Sequence, residues 1–251
     1  MNTAVAFKLL TTLRRNPIDT FSMAVRPLLS VVLFAVFAST YIETGTGVAF
    51  MVISVALVNV IVNSVQGSSY EARDDIRGLR SDVILLAPGG FHSFSAAQAL
   101  VQTVFASIQS FVILIVSAPL LEIHHTGSAT KIALAGLSLL IVTSYLLSLV
   151  LLKISILYDN FLAVSFAVVV MVTLGGAFYP VESLSGWVYV ISRLNPVTYL
   201  IDLCRTPLIG ESPFVDYSTS LFVCVGFVAL LVAMDVVLRS KTFDLSDKSQ
   251  F

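Results

Sequence analysis

The sequence predicts an all-α integral membrane protein: a bundle of six transmembrane helices, an N-terminal interfacial helix, and a re-entrant broken hairpin between the fifth and sixth helices. Composition is the first reason, because 57% of the 251 residues are hydrophobic and only 12% are charged, whereas soluble domains have about 25% charged residues. Apolar runs that reach the roughly 20 residues needed to cross a bilayer are the second. The third is one apolar stretch, Leu174 to Arg205, that glycine and proline interrupt.

The element boundaries follow from the apolar runs. The interfacial helix is predicted at 3–15, where Val5, Leu9 and Leu13 share one helical face, with an ordinary juxtamembrane tail as the alternative. The six spans are predicted at 18–42, 48–66, 94–120, 132–152, 160–176 and 218–238. Asp159-Asn160 precede the fifth span and suit a helix N-cap. The chain is therefore one transmembrane domain, 1–251.

The stretch after the fifth span cannot cross the bilayer in one piece. Gly175-Gly176 break the helix, and Asn195-Pro196 separate two apolar pieces of roughly ten to twelve residues each, too short for a span. Because lipid does not tolerate an uncovered irregular backbone, 180–206 are predicted to form a re-entrant hairpin inside the bundle. It is either a structural plug or a gate with an aromatic lip. The residues assigned to this plug or gate are Gly175, Gly176, Phe178, Tyr179, Pro180, Trp187, Asn195, Pro196 and Tyr199.

The basic residues predict the orientation. With six spans, both termini lie on the same side, and 11 of the 14 lysines and arginines are on that side. Positive charge is retained in the cytoplasm, so both termini and the loop 67–93 are predicted to be cytoplasmic, and the hairpin opens to the outside. We therefore expect a multi-pass protein of the cell membrane, in contact with lipid. No dense basic run indicates a nucleic-acid partner.

Motifs for catalysis are missing from the sequence. GxxxxGK[ST], HExxH and G-x-S-x-G do not occur, and His124-His125 have no second ligand cluster in their loop, which favours an ordinary loop over half a metal site. Asp235 is the main ionisable residue within a span, and we expect it to pair with Arg239 one turn later. No catalytic residue, metal site or cofactor is predicted for this chain.

The two cysteines, Cys204 and Cys224, are expected to be isolated thiols.

Two stripes of amide side chains run along the second and third spans. They are Asn59, Asn63 and Gln66, and Gln98, Gln102 and Gln109. Amides within a span need partners, and hydrogen bonds between helices are their commonest use. A polar lining for a substrate route is the alternative.

The most charged segment is Tyr70–Asp82, which mixes both signs in a helix-compatible stretch. It lies in the only sizeable cytoplasmic connection of the predicted topology, since the other one, Lys153 to Asn160, is very short. A mixed-charge helix at this place favours docking of a soluble partner by electrostatic complementarity. A solvated loop is the alternative.

Several stretches resemble the membrane subunit of ABC-2 type transporters over essentially the full length. They are Leu13–Pro17 with Arg26-Pro27, Tyr70–Gly78 followed by Ile84–Pro88, Gly175–Pro180 followed by Trp187, and Asn195-Pro196-x-x-Tyr199. The resemblance implies that 67–93 form a coupling helix that fits a groove in a separate ATP-binding subunit. The residues implied in coupling are Glu71, Arg73, Asp74, Asp75, Arg77, Gly78 and Pro88.

The resemblance also implies a function. The chain would be a permease, not an enzyme, and the partner subunit would bind ATP and Mg²⁺ and hydrolyse the nucleotide. It would pair with a second copy of itself or a related permease and export an amphipathic small molecule, drug, antibiotic or lipid-linked compound. The drug and antibiotic branch is favoured because the N-terminus lacks the Arg-Tyr-rich motif of the polysaccharide exporters. The alternatives are a polysaccharide or glycolipid exporter, a stand-alone secondary carrier or channel, and a structural or sensory membrane protein.

Overall fold

The computed structural model describes residues 45–76, 90–117, 127–209 and 214–248. This part of the chain is helical, as predicted. Its α-helices are α1 (Gly45–Asp75), α2 (Gly90–Ser117), α3 (Gly127–Tyr158), α4 (Phe161–Leu174), α5 (Gly186–Leu194), α6 (Pro196–Ile209) and α7 (Tyr217–Lys248), and a 3₁₀ turn, Val181–Ser183, lies between α4 and α5.

Several predictions concern residues outside the described ranges and stay predictions. They are the interfacial helix at 3–15, the span at 18–42, the coupling residues Arg77, Gly78 and Pro88, and the loop with His124-His125.

Four of the described helices are long and apolar enough to cross a membrane: Gly47–Asp75, Gly90–Ser117, Lys131–Tyr158 and Tyr217–Ser240. Three of them contain the spans predicted at 48–66, 132–152 and 218–238, and Gly90–Ser117 contains 94–117 of the span predicted at 94–120. The fifth predicted span, 160–176, corresponds to α4, which has only 14 residues. An α-helix of that length rises about 21 Å, less than the roughly 30 Å of a hydrocarbon core. The described residues thus contain four candidate spans, and the total of six stays a prediction.

Helix α1 lies at the centre of the bundle. It contacts α2, α3, α4 and α6. Within its most apolar 18 residues, 67% of the residues are buried, whereas the corresponding share in α7 is 11%. Helix α7 packs at the edge, against α2, α3 and α6. Its outward side chains include exposed Phe222 and Val236. An apolar outer surface is stable in a bilayer because lipid tails are as apolar as these side chains.

Helix α1 continues past Gln66, where its apolar run ends, as far as Asp75. The extension is stabilised by tertiary packing, because fully buried Ala72 forms a small hydrophobic cluster with Leu152 of α3 and Phe161 of α4. Helical stability in proteins comes mainly from such packing of one face. The first part of the charged segment is therefore a direct continuation of α1.

Small side chains let α1 and α3 approach closely. Ser68 Oγ and Ser148 Oγ lie 2.7 Å apart, and the Ser148 hydroxyl also lies 2.8 Å from the backbone oxygen of Ser64. All three residues are fully buried. Small polar residues serve membrane helices in this way, because they allow close backbone approach and supply hydrogen bonds that lipid cannot.

A tight turn connects α3 to α4. Asp159 has a φ of +47°, a conformation that aspartate tolerates better than most residues. Asn160 then caps α4, with its Oδ1 accepting a hydrogen bond from Ala163 N at 3.1 Å. The predicted cap at Asp159-Asn160 is confirmed at Asn160.

Candidate functional site

Helix α4 ends at Leu174 because two glycines follow. Gly175 N donates a hydrogen bond to Val172 O at 3.1 Å, and Gly176 has a φ of +68°. A Cβ atom at Gly176 would lie 2.4 Å from Cγ2 of Val181 in the 3₁₀ turn. Glycine is needed there both for the backbone conformation and for the close approach. The predicted break at the glycine pair is present.

Gly176→Ala is expected to destabilise the protein by about 1–3 kcal/mol, since an L-residue in the left-handed region is strained and its Cβ overlaps Val181. Thermal unfolding of the purified protein in detergent measures the effect. The matched control is Gly226→Ala in α7, where nothing lies within 4 Å of the added Cβ. The control should be neutral or slightly stabilising, because alanine favours a helix. Equal melting temperatures for the two variants would contradict this account.

Asn195 joins α4, α5 and α6. Its Nδ2 donates to the backbone oxygen of Met171 in α4 at 2.5 Å, and its Oδ1 accepts from Val197 N in the first turn of α6 at 3.1 Å. Pro196 occupies the first helical position, where its missing N–H costs nothing. Asn195-Pro196 therefore ends α5, starts α6 and holds both against α4.

Two tyrosine hydroxyls bind the carbonyl groups that the broken helices leave free. Tyr199 Oη donates to Arg193 O at the end of α5, and Tyr179 Oη donates to Thr173 O at the end of α4, both at 2.7 Å. The ring of Phe214 packs 6.2 Å from that of Tyr199, centroid to centroid. The tyrosines thus satisfy helix ends that lipid would leave unpaired.

The three aromatic residues of the predicted lip differ in environment. Phe178 is half-buried and packs against the main hydrophobic core, and Tyr179 is half-buried with its hydroxyl bound to α4. Trp187 on α5 is 70% exposed. The structure therefore places Phe178 towards the bundle and Trp187 away from it.

Two buried charges lie on α6. Asp202 Oδ1 accepts from Thr206 Oγ1 at 2.8 Å, and Oδ2 accepts from Phe214 N at 3.0 Å. Arg205 reaches α1, where its Nη1 donates to Ser54 Oγ at 3.1 Å. Both residues are 7% exposed. The bonds to α1 and to Phe214 connect α6 to neighbouring segments.

Cys204 on the same helix is a free, buried thiol, and so is Cys224 on α7. As predicted, neither of the two cysteines forms a disulfide. The Cys204 sulphur packs against Gly136 of α3, where an added Cβ would lie 3.1 Å from it. The cysteines serve as small apolar side chains of the core.

The two amide stripes face each other across α1 and α2. Asn59 Nδ2 donates to Ser110 Oγ at 3.0 Å, and Asn63 Nδ2 donates to Asn59 Oδ1 at 2.6 Å and to Gln109 Oε1 at 3.3 Å. Gln66 is half-buried on the same helix. These bonds support the interhelical use of the amides. A substrate route along the stripes stays a prediction.

Further along α1, Glu71 is held by α2. Gln98 Nε2 donates to Glu71 Oε2 and Gln102 Nε2 donates to Oε1, both at 2.5 Å. Gly67 makes room for this arrangement, since a Cβ there would lie 2.5 Å from Gln102 Oε1. One carboxylate therefore accepts hydrogen bonds from two buried amides and anchors the charged end of α1 to α2.

The other described coupling residues follow at the end of α1. Asp74 is exposed, whereas Arg73 and Asp75 are half-buried. Glu71 thus faces a neighbouring helix, whereas Asp74 is open to contact from outside the chain.

A charged cluster that the sequence did not predict joins α2, α3 and α7. Lys153 Nζ of α3 lies 2.5 Å from Asp235 Oδ1 of α7 and 2.9 Å from His92 Nδ1 of α2. Arg239 Nη2 contacts the other ring nitrogen of His92. Lys153 is 1% exposed. His92 of the cluster lies in the first turn of α2, within the predicted coupling loop 67–93.

This cluster corrects the expected role of Asp235. A local pair with Arg239 was expected, but the close partner of the carboxylate is Lys153 on another helix. The useful signal in the sequence is that Lys153 and Asp235 are opposite charges, each adjoining an apolar run. Such charges are costly in a bilayer and are found paired.

The described residues form a helical bundle with four candidate spans, which defines a multi-pass membrane protein. A sequence model of the ABC-2 type transporter family matches residues 3–209. The chain belongs to the ABC-2 type transporter family. A search of curated proteins gave no match.

Proposed function

We propose that this chain is the permease subunit of an ATP-driven exporter, powered by a separate ATP-binding subunit. The observation that carries the proposal is its membership of the ABC-2 type transporter family over residues 3–209. This range includes the charged end of α1, the start of α2 and the whole hairpin. A catalytic role is assigned to the partner, which binds ATP and Mg²⁺.

The proposed docking surface for the ATPase is the charged end of α1 with the segment that follows it, within 67–93. Asp74 is exposed there and available for electrostatic contact. Glu71 supports the surface from behind, because Gln98 and Gln102 fix its carboxylate to α2. A push on this end is therefore transmitted to two helices together.

The proposed assembly contains two permease copies, each with six spans and cytoplasmic termini, above two ATPase copies. In this orientation the hairpin lies in the outer half of the membrane. Its bonds to α4 and α1 support a plug that holds the outer half closed, and exposed Trp187 suits a gate lip. The proposed substrates are amphipathic: a drug, an antibiotic or a lipid-linked compound.

A stand-alone secondary carrier is the second candidate. The observation in its favour is the pair of buried Lys153 and half-buried Asp235 beside His92, since ionisable groups within membrane spans often mark ion pathways. A carrier of this kind would need no ATPase.

Co-purification in mild detergent tests the proposal. The tagged chain is expected to retain an ATPase with a P-loop when both are expressed together. Asp74→Arg should abolish the association while leaving the amount of membrane-inserted chain unchanged, because the charge at the docking surface is reversed. The matched control is Glu182→Arg, which reverses an exposed acid on the hairpin and should keep the ATPase.

An ATPase that fails to co-purify with the native chain would contradict the permease proposal and favour the carrier. Retention of the ATPase by Asp74→Arg would contradict the docking surface alone. Mass spectrometry of the eluted complex distinguishes these outcomes.

A further inference from the structure

Arg205 makes contacts with two other segments of the chain. Its Nη1 donates to Ser54 Oγ of α1 and to the backbone oxygen of Gly176, both at 3.1 Å. The guanidinium carbon lies 3.7 Å from the centroid of the Phe50 ring, also on α1. One side chain of α6 thus holds both the break after α4 and the central helix of the bundle.

The chemistry of this contact favours arginine. A guanidinium is costly to bury and needs several compensating groups. Its planar fork donates in more than one direction and stacks on an aromatic face, which the compact ammonium of lysine does not reproduce. Arg205 is only 7% exposed, and the cost of burying its charge is offset by contacts with a hydroxyl, a carbonyl and an aromatic ring on neighbouring segments.

Helix α1 carries this contact at one end and the charged segment at the other. It is unbroken over its 31 residues and contains no proline. Ser54 and Asp74 are separated by about 30 Å along the helix axis, the thickness of a hydrocarbon core. A displacement of the Asp75 end along the axis therefore reaches Ser54 through continuous helix.

Resting on the proposed function, we propose that Arg205 is a positioning residue of transport that fixes the hairpin to α1. When the ATPase displaces the charged end of α1, the hairpin moves with the helix because Arg205 holds Phe50, Ser54 and the Gly176 carbonyl together. Loss of this side chain uncouples the hairpin from α1 and leaves the docking surface intact.

The first test uses the permease alone. Trp187 is the only tryptophan of the chain, so intrinsic fluorescence reports the hairpin directly. Arg205→Gln is expected to lower the fluorescence anisotropy of Trp187 and to increase its quenching by acrylamide. The matched control is Arg193→Gln, which removes an exposed charge from the same hairpin and should change neither value. Native-like anisotropy and quenching in Arg205→Gln would overturn the proposal.

The second test uses the complex with the ATPase. A bimane fluorophore is attached to the cysteine of the Trp187→Cys variant. Labelling is selective because Cys204 and Cys224 are buried. A non-hydrolysable ATP analogue is then added with Mg²⁺. The analogue is expected to shift the bimane emission, and Arg205→Gln should abolish the shift while nucleotide binding persists. A shift that survives in Arg205→Gln, or no shift in any variant that binds nucleotide, would overturn the proposal.

Ser54→Ala is the second variant, for the case that Arg205→Gln does not fold. It removes the hydrogen-bond acceptor on α1 and leaves the charge of Arg205 in place. The anisotropy and quenching of Trp187 should change in the same direction with a smaller effect, and unchanged values would count against the proposal.

If no ATPase is recovered, the proposed function fails. The fluorescence of the permease alone still decides whether Arg205 fixes the hairpin to α1.

Discussion

Lys153→Met is expected to destabilise the helix bundle by about 3 kcal/mol, the lower end of the cost of breaking a buried ion pair, because it removes the charged partner of a half-buried carboxylate. In the native protein, Lys153 Nζ lies 2.5 Å from Asp235 Oδ1, with side-chain exposures of 1% and 15%. Methionine leaves Asp235 with its desolvation cost and without the ammonium group that offsets it. Asp235→Leu should be harmful for the reciprocal reason, since it leaves the lysine buried.

The informative comparison is the double variant Lys153→Met with Asp235→Leu. Replacing a whole buried ion pair with apolar residues is often neutral or stabilising, whereas breaking it is costly. We expect the double variant to recover most of the stability that each single variant loses. Thermal unfolding in detergent, followed through the single tryptophan, measures all three. Additive losses would show that the pair is not the reason for the single effects.

Asn195→Ala is expected to lower the free energy of unfolding by about 2–4 kcal/mol, because the hydrogen bonds of both polar atoms of one buried amide are lost together. The backbone oxygen of Met171 loses its donor, and Val197 N loses its acceptor. Asn195 is only 8% exposed, so water does not readily replace either partner. The hairpin should separate from α4, and an unfolding transition at lower temperature would report the loss.

Asn195→Ser separates the two contributions. Serine caps a helix well but is too short to reach the Met171 carbonyl, so its loss of stability should be smaller than that of alanine. Tyr199→Phe removes one hydroxyl bond, to Arg193 O, and should cost about 1 kcal/mol. If serine is as harmful as alanine, the bond to α4 carries the stability and the cap carries little.

The backbone breaks were predictable because they depend on local chemistry. The helix α4 ends at the glycine pair because Gly176 adopts a positive φ, and Asn195-Pro196 start a helix because proline lacks an N–H and asparagine caps. The same holds for the apolar runs, since span length is set by the hydrocarbon thickness. All these features involve neighbours in the chain, so the printed sequence contains them directly.

The partners of the polar residues were only partly predictable. The amide stripes indicated bonds between helices, but Glu71 was assigned to the ATPase surface and is held by Gln98 and Gln102. Asp235 was assigned to Arg239 on its own helix and lies against Lys153 on α3. A one-turn neighbour is visible in a sequence, whereas a partner on another helix depends on how the two helices cross.

By itself, the sequence determined the class of this protein, the approximate spans covered by α1, α2, α3 and α7, and the places where the hairpin breaks. These follow from hydrophobic length and from the backbone preferences of glycine, proline and asparagine, which act within a few residues. The tertiary structure decided that α1 extends to Asp75, that Lys153 is buried beside Asp235, and that Arg205 joins the hairpin to α1. The physical reason is that burial and hydrogen bonding between helices exist only once residues far apart in the chain have packed together.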